Sequence, residues 1–322
     1  MTRQPTADPI VVQVADEQVH DHGGDTDLLW SESHYLDVVS PDAGTGAYVR
    51  LGRLPNQDRS HVMVAIVRPG NGPVILAVPD APLPAVRGAD LDVSAGGYAL
   101  QLVLEDPLAR MRVTARGAAA AYDAPADALR RSSARDAEFE LDLTWVTDGA
   151  PYRWRRTTRY EVPCHVTGYV AVDGERIDID WVGQRDHSWG NRDWWAFAWC
   201  WMAVHLDDGS RWHSAATPAF PSVGMGCFSR DGLVTEVESI TATSDFTADG
   251  LFGDTAQSIE PGAHRLVISP VSFAPVLLEA PDGRVSFFPR ATCRVSASDG
   301  RQGIGWVEWN LPQDTPAPPA GA

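Results

Sequence analysis

The run Gly183–Trp195 concentrates the chain's chemically useful side chains. From Gln184 onward, twelve residues hold two carboxylates (Asp186, Asp193), two arginines (Arg185, Arg192), His187, Ser188, Asn191 and three tryptophans (Trp189, Trp194, Trp195). Titratable groups set among large aromatics are where pKa values move: desolvation raises a carboxylic acid and a neighbouring guanidinium lowers it. An aspartic acid kept protonated by an apolar wall can act as a general acid toward a carbon–carbon double bond or a hydroxyl leaving group. Aromatic faces can stabilise a developing carbocation. On this chemistry Asp186 is the acid or base, His187 or His205 tunes it or relays its proton, Arg185 and Arg192 orient carboxylates, and Asp193 is a second acidic candidate. The competing account is plain structure: Asp186 paired with Arg185 or Arg192 beside a tight turn at Gly190, and His205 a hydrogen-bonded core histidine.

Tryptophan marks the same region. Seven of the chain's 12 tryptophans lie between Trp181 and Trp212. They form either a thick aromatic core or the wall of a cavity. As a wall, Trp189, Trp194, Trp199, Trp201 and Trp212 are candidate substrate-binding residues, with Tyr35. Glu308, between Trp306 and Trp309, is either an outward polar residue or a further acid facing the cavity.

Composition removes other chemistries. The chain has no lysine; its 26 basic residues are all arginine, against 43 acidic ones, for a net charge of -17. Schiff bases, pyridoxal phosphate, P-loops and protein kinases all need a lysine. The absence is also what genomic base composition alone would produce. The acidic balance, with no basic run longer than Arg153–Arg156, argues against nucleic acid. His187, His205 and His213 lie near one another in sequence but show neither His-x-His nor HExxH spacing, so no metal and no cofactor are expected. There is no G-x-S-x-G elbow. Gly70-Asn71-Gly72 and Gly224-Met225-Gly226 read as turns or bulges. With no signal-peptide pattern, no apolar run approaching about 18 residues and four scattered cysteines without a CxxC pair, a cytoplasmic protein with reduced thiols and no integral membrane segment is expected.

The elements that must position these residues are strands. Seven Asp-Gly pairs, at Asp148, Asp173, Asp208, Asp231, Asp249, Asp282 and Asp299, supply hairpin turns. Their flanks alternate with period two: Phe139, Leu141, Leu143 and Trp145 share one face, with Glu138, Glu140 and Asp142 opposite. Arg176–Trp181 repeats the pattern. Phe197–Leu206 is apolar on both faces, which suits a wall between a filled interior and a covering layer. A short helix fits only Asp123–Asp136. The fold class is all-β, with two antiparallel barrel-like or sandwich-like domains: a flexible arm over residues 1–25, domains over 26–155 and 156–311, and a disordered tail over 312–322.

The motif Asp186-His187-Ser188-Trp189-Gly190, after a strand and before an aromatic strand, resembles that of the lipocalin-like hydroxyneurosporene-synthase (carotenoid 1,2-hydratase) superfamily. The stretches Glu32–Tyr35, Gly46–Asn56 and Gly303–Trp309 resemble the opening and closing of an actinobacterial branch of it. The resemblance implies two packed lipocalin-like β-barrel domains, a hydrophobic substrate site, and an acidic residue, here Asp186, that protonates an isoprenoid double bond before water captures the cation. The functional expectation is a cofactor-independent hydratase or dehydratase, isomerase or cyclase acting on an isoprenoid, terpenoid-like or polycyclic small molecule. The alternative is a non-catalytic lipophile-binding protein of lipocalin type.

Overall fold

Alternation and Asp-Gly turns build the strands. Along Arg135–Thr147, Phe139, Leu141, Leu143 and Trp145 are buried while Glu138 and Glu140 face out. Asp173-Gly174 and Asp231-Gly232 close two-residue hairpins with both residues of each at positive φ, 51° and 80° in one and 52° and 77° in the other. That geometry matches the right-handed twist of the paired strands, and Asp and Gly tolerate it.

The computed structural model describes residues 11–132, 134–260 and 264–313. Among these, the strands form a twelve-stranded and an eleven-stranded sheet, paired antiparallel throughout. In the first, Trp30–Val39 is flanked by Gly46–Leu54 and Glu175–Asn191. The chain of pairings runs on through Arg59–Val67, Val74–Ala81, Arg110–Ala121, Arg135–Thr147 and Thr158–Val172 back to Glu175–Asn191. Eight strands thus close into a ring, the arrangement of a lipocalin-like barrel. The second sheet curls around its own core, and Trp199–Leu206 lies near its middle, between Arg211–Ala216 and Gln302–Gln313. The protein is therefore two packed lipocalin-like β domains. The helix Pro125–Arg130 falls inside the expected segment, and no helix among the described residues is long and apolar enough to cross a membrane.

Three hydrophobic clusters follow from this layout. One, including Leu36, Val62, Leu141 and Trp145, fills the first barrel. Another, including Met202, Val204, Ile268 and Trp309, fills the second. The third, including Tyr35, Tyr48, Trp201 and Trp306, lies between them. The strand Trp199–Leu206 is the expected wall: Cys200, Met202 and Val204 face the second interior, and Trp201 and Ala203 face the first domain. The domains are docked closely. Trp306 Nε1 donates to Val38 O at 3.1 Å, Thr292 Oγ1 to Ala43 O at 2.7 Å and Tyr48 Oη to Ala274 O at 3.3 Å. A Cβ on Gly46 would lie 2.7 Å from both Trp306 and Thr292, so only glycine lets the sheets approach this far.

Three boundaries differ from expectation. The sheets divide between Asn191 and Trp199, not at 155/156, because Thr158–Val172 and Glu175–Asn191 are needed to close the first ring. Pro312 and Gln313, assigned to a disordered tail, end the last strand and pair with Ser286 and Val285; residues 314–322 lie outside the described residues, as do residues 1–10 of the expected arm. The remainder of that arm is not free. Val12 packs into the first barrel's core, and Val14–Glu17 forms a 3-10 turn. Glu17, 1% exposed, accepts from Arg185 Nη1 and Tyr160 Oη, both at 2.8 Å. An inward-pointing arginine needs a counter-charge, and this polar segment supplies it.

Glu17→Ala would leave Arg185 buried without its carboxylate. It is expected to lower the unfolding free energy by about 3–5 kcal/mol in denaturant titrations; a loss below about 1 kcal/mol would mean that the arm does not hold the barrel in solution.

Candidate active site

Side chains of a strand alternate between its faces, and in Glu175–Asn191 that alternation separates neighbours in the motif. Gln184, Asp186 and Ser188 point toward the second domain, as do their register partners Asp37, Tyr35 and Ser33. Arg185, His187 and Trp189 point into the first barrel, among Glu17, Glu32 and Tyr160. On the adjoining strand, Glu161 pairs in register with Asp186 and shares its face with Arg159. From Gly46–Leu54 comes Arg50, from Arg290–Ala297 Arg290, and from Gln302–Gln313 Glu308.

Between the domains Asp186, Tyr35, Arg50, Arg159, Arg290 and Glu308 line a cavity of about 470 Å³, with aromatic walls from Trp154, Trp194, Trp199, Trp201 and Phe288. Asp186, 5% exposed, lies in its lining. Arg159 Nη2 donates to Asp186 Oδ2 at 2.7 Å and its Nε to Glu161 Oε1 at 2.6 Å, so one guanidinium serves two carboxyl groups. Burial pushes the Asp186 carboxyl up to about 7; Arg159, Arg192 and Arg50 pull against this, while the Glu161 charge reinforces it. Glu161 is raised by its own burial against the pull of Arg159 and the hydrogen bond from Gln184. Two buried carboxyls on one arginine titrate as a pair.

Behind Glu161, His213 Nδ1 faces Met202 O at 3.1 Å and its Nε2 lies 3.2 Å from Glu161 Oε1. With the Nδ1 proton given to the carbonyl, Nε2 presents a lone pair, and the contact is attractive when Glu161 carries a proton. Burial lowers His213 well below its usual range and raises Glu161. Further along the same face Asp37 is 2% exposed; it accepts from Gln184 N at 2.9 Å, and its Oδ2 has no hydrogen-bond partner among the described residues. Burial pushes it up to about 8 against the pull of the neighbouring Tyr35 hydroxyl and the Gln184 hydrogen bond.

Arg185 faces the first barrel; eight of the twelve other candidate residues line this cavity: Asp186, Arg192, Asp193, Trp194, Trp199, Trp201, Tyr35 and Glu308. Asp193 is taken up at its edge, accepting from Trp195 N and pairing with Arg284 at 3.0 Å. Glu308 is buried against Arg290, whose guanidinium covers the rings of Tyr35 and Tyr48. The other four lie elsewhere. Trp212 packs with Phe228 and His264 in the second barrel. His205 is buried near the Gly183 backbone, where desolvation lowers it to about 3. Trp189 stacks on His20, ring centroids 3.7 Å apart. His187 is fully buried in the first barrel.

His187 belongs to a second polar cluster. His187 Nε2 and His20 Nδ1 lie 2.9 and 3.0 Å from Glu32 Oε1, and Arg53 pairs with the other oxygen. Burial raises Glu32, but the hydrogen bonds from His187 and His20 outweigh it and hold the group far below the carboxylate range. Two histidines and a carboxylate are metal-ligand types, and among the described residues this is the one group of three whose donor atoms converge, within 4.8 Å. Arg53 on Glu32 and the hydrogen bonds converging on Oε1 already satisfy the carboxylate, so the cluster works as a tie between the amino-terminal segment and the barrel. The trio His187, His205 and His213 does not converge.

Sequence reasoning missed Arg50, Arg159, Glu161, Arg290 and Asp37. Arg159 and Glu161 flank Tyr160, an alternation that ordinarily marks a solvated face; nothing local shows that a second domain covers it.

Asp37 gives a pH test. Its folded value lies above the unfolded 3.8, so its contribution is complete below about pH 4 and is lost as pH rises through about 8. Asp37→Asn should match wild type near pH 4 and become progressively more stable than it, by on the order of a few kcal/mol at pH 9. Denaturant titrations across pH check this; a difference independent of pH would show Asp37 ionised in the folded state.

Residues 13–313 match the model of a domain of unknown function, DUF7064. No curated protein sequence matches the chain. Among solved structures, an AttH-type protein from Nitrosomonas europaea superposes with a TM-score of 0.59 at 15% identity, covering 87% of this chain and 92% of that one. Kievitone hydratase from Nectria haematococca gives 0.59 at 14%, covering 94% and 93%. CghA gives 0.56 at 11%, covering 89% and 90%. At these identities the likeness speaks to the fold alone, two packed lipocalin-like β domains.

Proposed function

The chain belongs to the DUF7064 family, and from its inter-domain site we propose a cofactor-independent acid–base enzyme that hydrates, dehydrates, isomerises or cyclises a hydrophobic small molecule of isoprenoid or polycyclic type. One observation carries this. The Asp186 carboxyl, pushed up to about 7, lines a cavity walled by tryptophan between two domains. A carboxylic acid with that value is protonated and deprotonated with nearly equal ease near neutral pH, the condition for acid–base catalysis.

In the hydration direction, the protonated Asp186 gives its proton to one carbon of a double bond. The electron pair of that π bond forms the new C–H bond, and the positive charge left on the other carbon faces the rings of Trp154, Trp199 and Trp201. Water adds there and returns a proton to the Asp186 carboxylate. Dehydration is the reverse. Capture of the cation by a second π bond, followed by proton loss, gives cyclisation, and proton loss alone gives an isomer. Arg159 holds the carboxyl in place and ties it to Glu161. Among the fold neighbours, kievitone hydratase bears the name of a water-adding enzyme, which supports the class by analogy of fold alone.

The test uses a panel of prenylated and polycyclic compounds in ¹⁸O-labelled water, read by mass spectrometry. Asp186→Asn is expected to keep the fold and ligand binding while lowering turnover by about 10²–10⁴-fold. Wild-type turnover in the protonating direction should fall above about pH 7, since the acid must carry its proton. Undiminished turnover in the variant would overturn the assignment of Asp186. Saturable binding across the panel without conversion of any member would favour the lipophile-binding alternative.

A further inference from the structure

The cavity holds more positive charge than its own carboxylates neutralise. Four arginines, Arg50, Arg159, Arg192 and Arg290, line it within the protein, and Arg156 lies exposed at its rim. Arg290 is paired with Glu308, and Arg159 is shared by Asp186 and Glu161. Arg50 and Arg192 have no carboxylate within ion-pair distance among the described residues.

Arg50 is the sharper case. It is 6% exposed, its guanidinium makes no hydrogen bond among the described residues, and Nη1 is left buried without a partner there. Its guanidinium lies over Trp194, 4.4 Å from the ring centroid. Stacking occupies a flat face and leaves the in-plane N–H groups, which are the ones that bind oxyanions. Gly52 makes room for it, since a Cβ there would lie 2.8 Å from Nη1. Arg192 spends its Nη groups on Ser188 Oγ, Ser188 O and Ser31 O, all uncharged, and its Nε has no partner. Burial and the neighbouring arginines lower both groups to about 9, which still leaves them charged at neutral pH. An uncompensated buried guanidinium destabilises the free protein. A stacked, preorganised arginine of this kind is what a ligand site maintains at the expense of stability.

We propose that the ligand of this cavity carries a delocalised oxyanion, either a carboxylate or an ionised acidic enol, on an otherwise apolar body, and that Arg50, assisted by Arg192, binds it. Head and body then meet different walls: the anion lies against Arg50 and Arg192, and the apolar part against Trp199, Trp201 and Phe288. A bound anion also adds negative charge near Asp186, which favours its protonated form. The inference rests on the cavity being the ligand site, as proposed above, but not on Asp186 acting as the acid.

Binding therefore tests it without turnover. Isothermal titration calorimetry at pH 7.5 compares dehydroabietic acid with its methyl ester, and 4-hydroxycoumarin with 4-methoxycoumarin. At least one acid is expected to bind saturably and at least tenfold tighter than its O-methylated partner, and the pair showing the preference tells whether the head is a carboxylate or an enol. Arg50→Met should abolish the preference, with Arg50→Gln as the second variant should the first not fold. Both should melt at or above the wild-type temperature in the absence of ligand. Asp186→Asn should keep the preference, so loss of turnover in that variant and loss of anion selectivity are separate results. No saturable binding of either acid up to millimolar concentration, equal affinity of acid and O-methyl partner, or an undiminished preference in the Arg50 variants would each overturn the proposal.

Discussion

The two-residue period of one strand is the constraint on which the site depends. Glu175–Asn191 is a wall with a filled barrel on one side and a second domain on the other, so consecutive side chains enter different compartments. Asp186 goes to the inter-domain cavity, and His187 goes to a buried cluster with Glu32 and His20. A one-residue slip in register would exchange the two and place every charge of the motif in the wrong environment. Closure of an eight-stranded ring fixes that register from both sides, because the strand is paired with Trp30–Val39 over Val182–Asn191 and with Thr158–Val172 over Glu175–Trp189.

On each side of the wall, buried charge is handled differently. Inside the first barrel, Arg185 meets Glu17 and Glu32 meets Arg53 and two histidines, so each charge is answered by the chain itself. That side contributes to holding the fold together. In the cavity the charges do not balance: two carboxyls share Arg159, while Arg50 has no counter-ion among the described residues. Burial raises the acid and lowers Arg50 and Arg192, and a buried guanidinium without a counter-ion destabilises the empty site. Such strain belongs at a place of function rather than of stability.

Much of the fold was legible because it depends on short-range pattern. Alternation in Arg135–Thr147, the Asp-Gly turns at 173 and 231, and the doubly apolar Trp199–Leu206 each follow from local sterics and burial. The tryptophan-rich segment located the cavity because large aromatics must be covered somewhere, and Trp194, Trp199 and Trp201 do wall it. The split at Asn191, the docked segment around Glu17 and the pairing of Pro312 with Ser286 were not legible. In each, the partner lies far away in the sequence and the local pattern suits solvent equally well. Arg159 and Glu161 are the clearest instance, since their face reads as exposed until a second domain covers it.

The sequence by itself determined residue chemistry and period: an all-β chain without lysine, with its carboxylates, histidines and arginines gathered among tryptophans around Asp186. Those features are intrinsic to composition and spacing, and no partner is needed to express them. Only the tertiary structure decided which of the gathered groups meet. Asp186 faces Arg159 and Glu161 across one hairpin, Arg50 joins them only through the long-range pairing of Glu175–Asn191 with Trp30–Val39, and their burial exists only because the second domain docks against them. Desolvation and proximity set the pKa of a buried carboxyl, and both are properties of packing rather than of order along the chain.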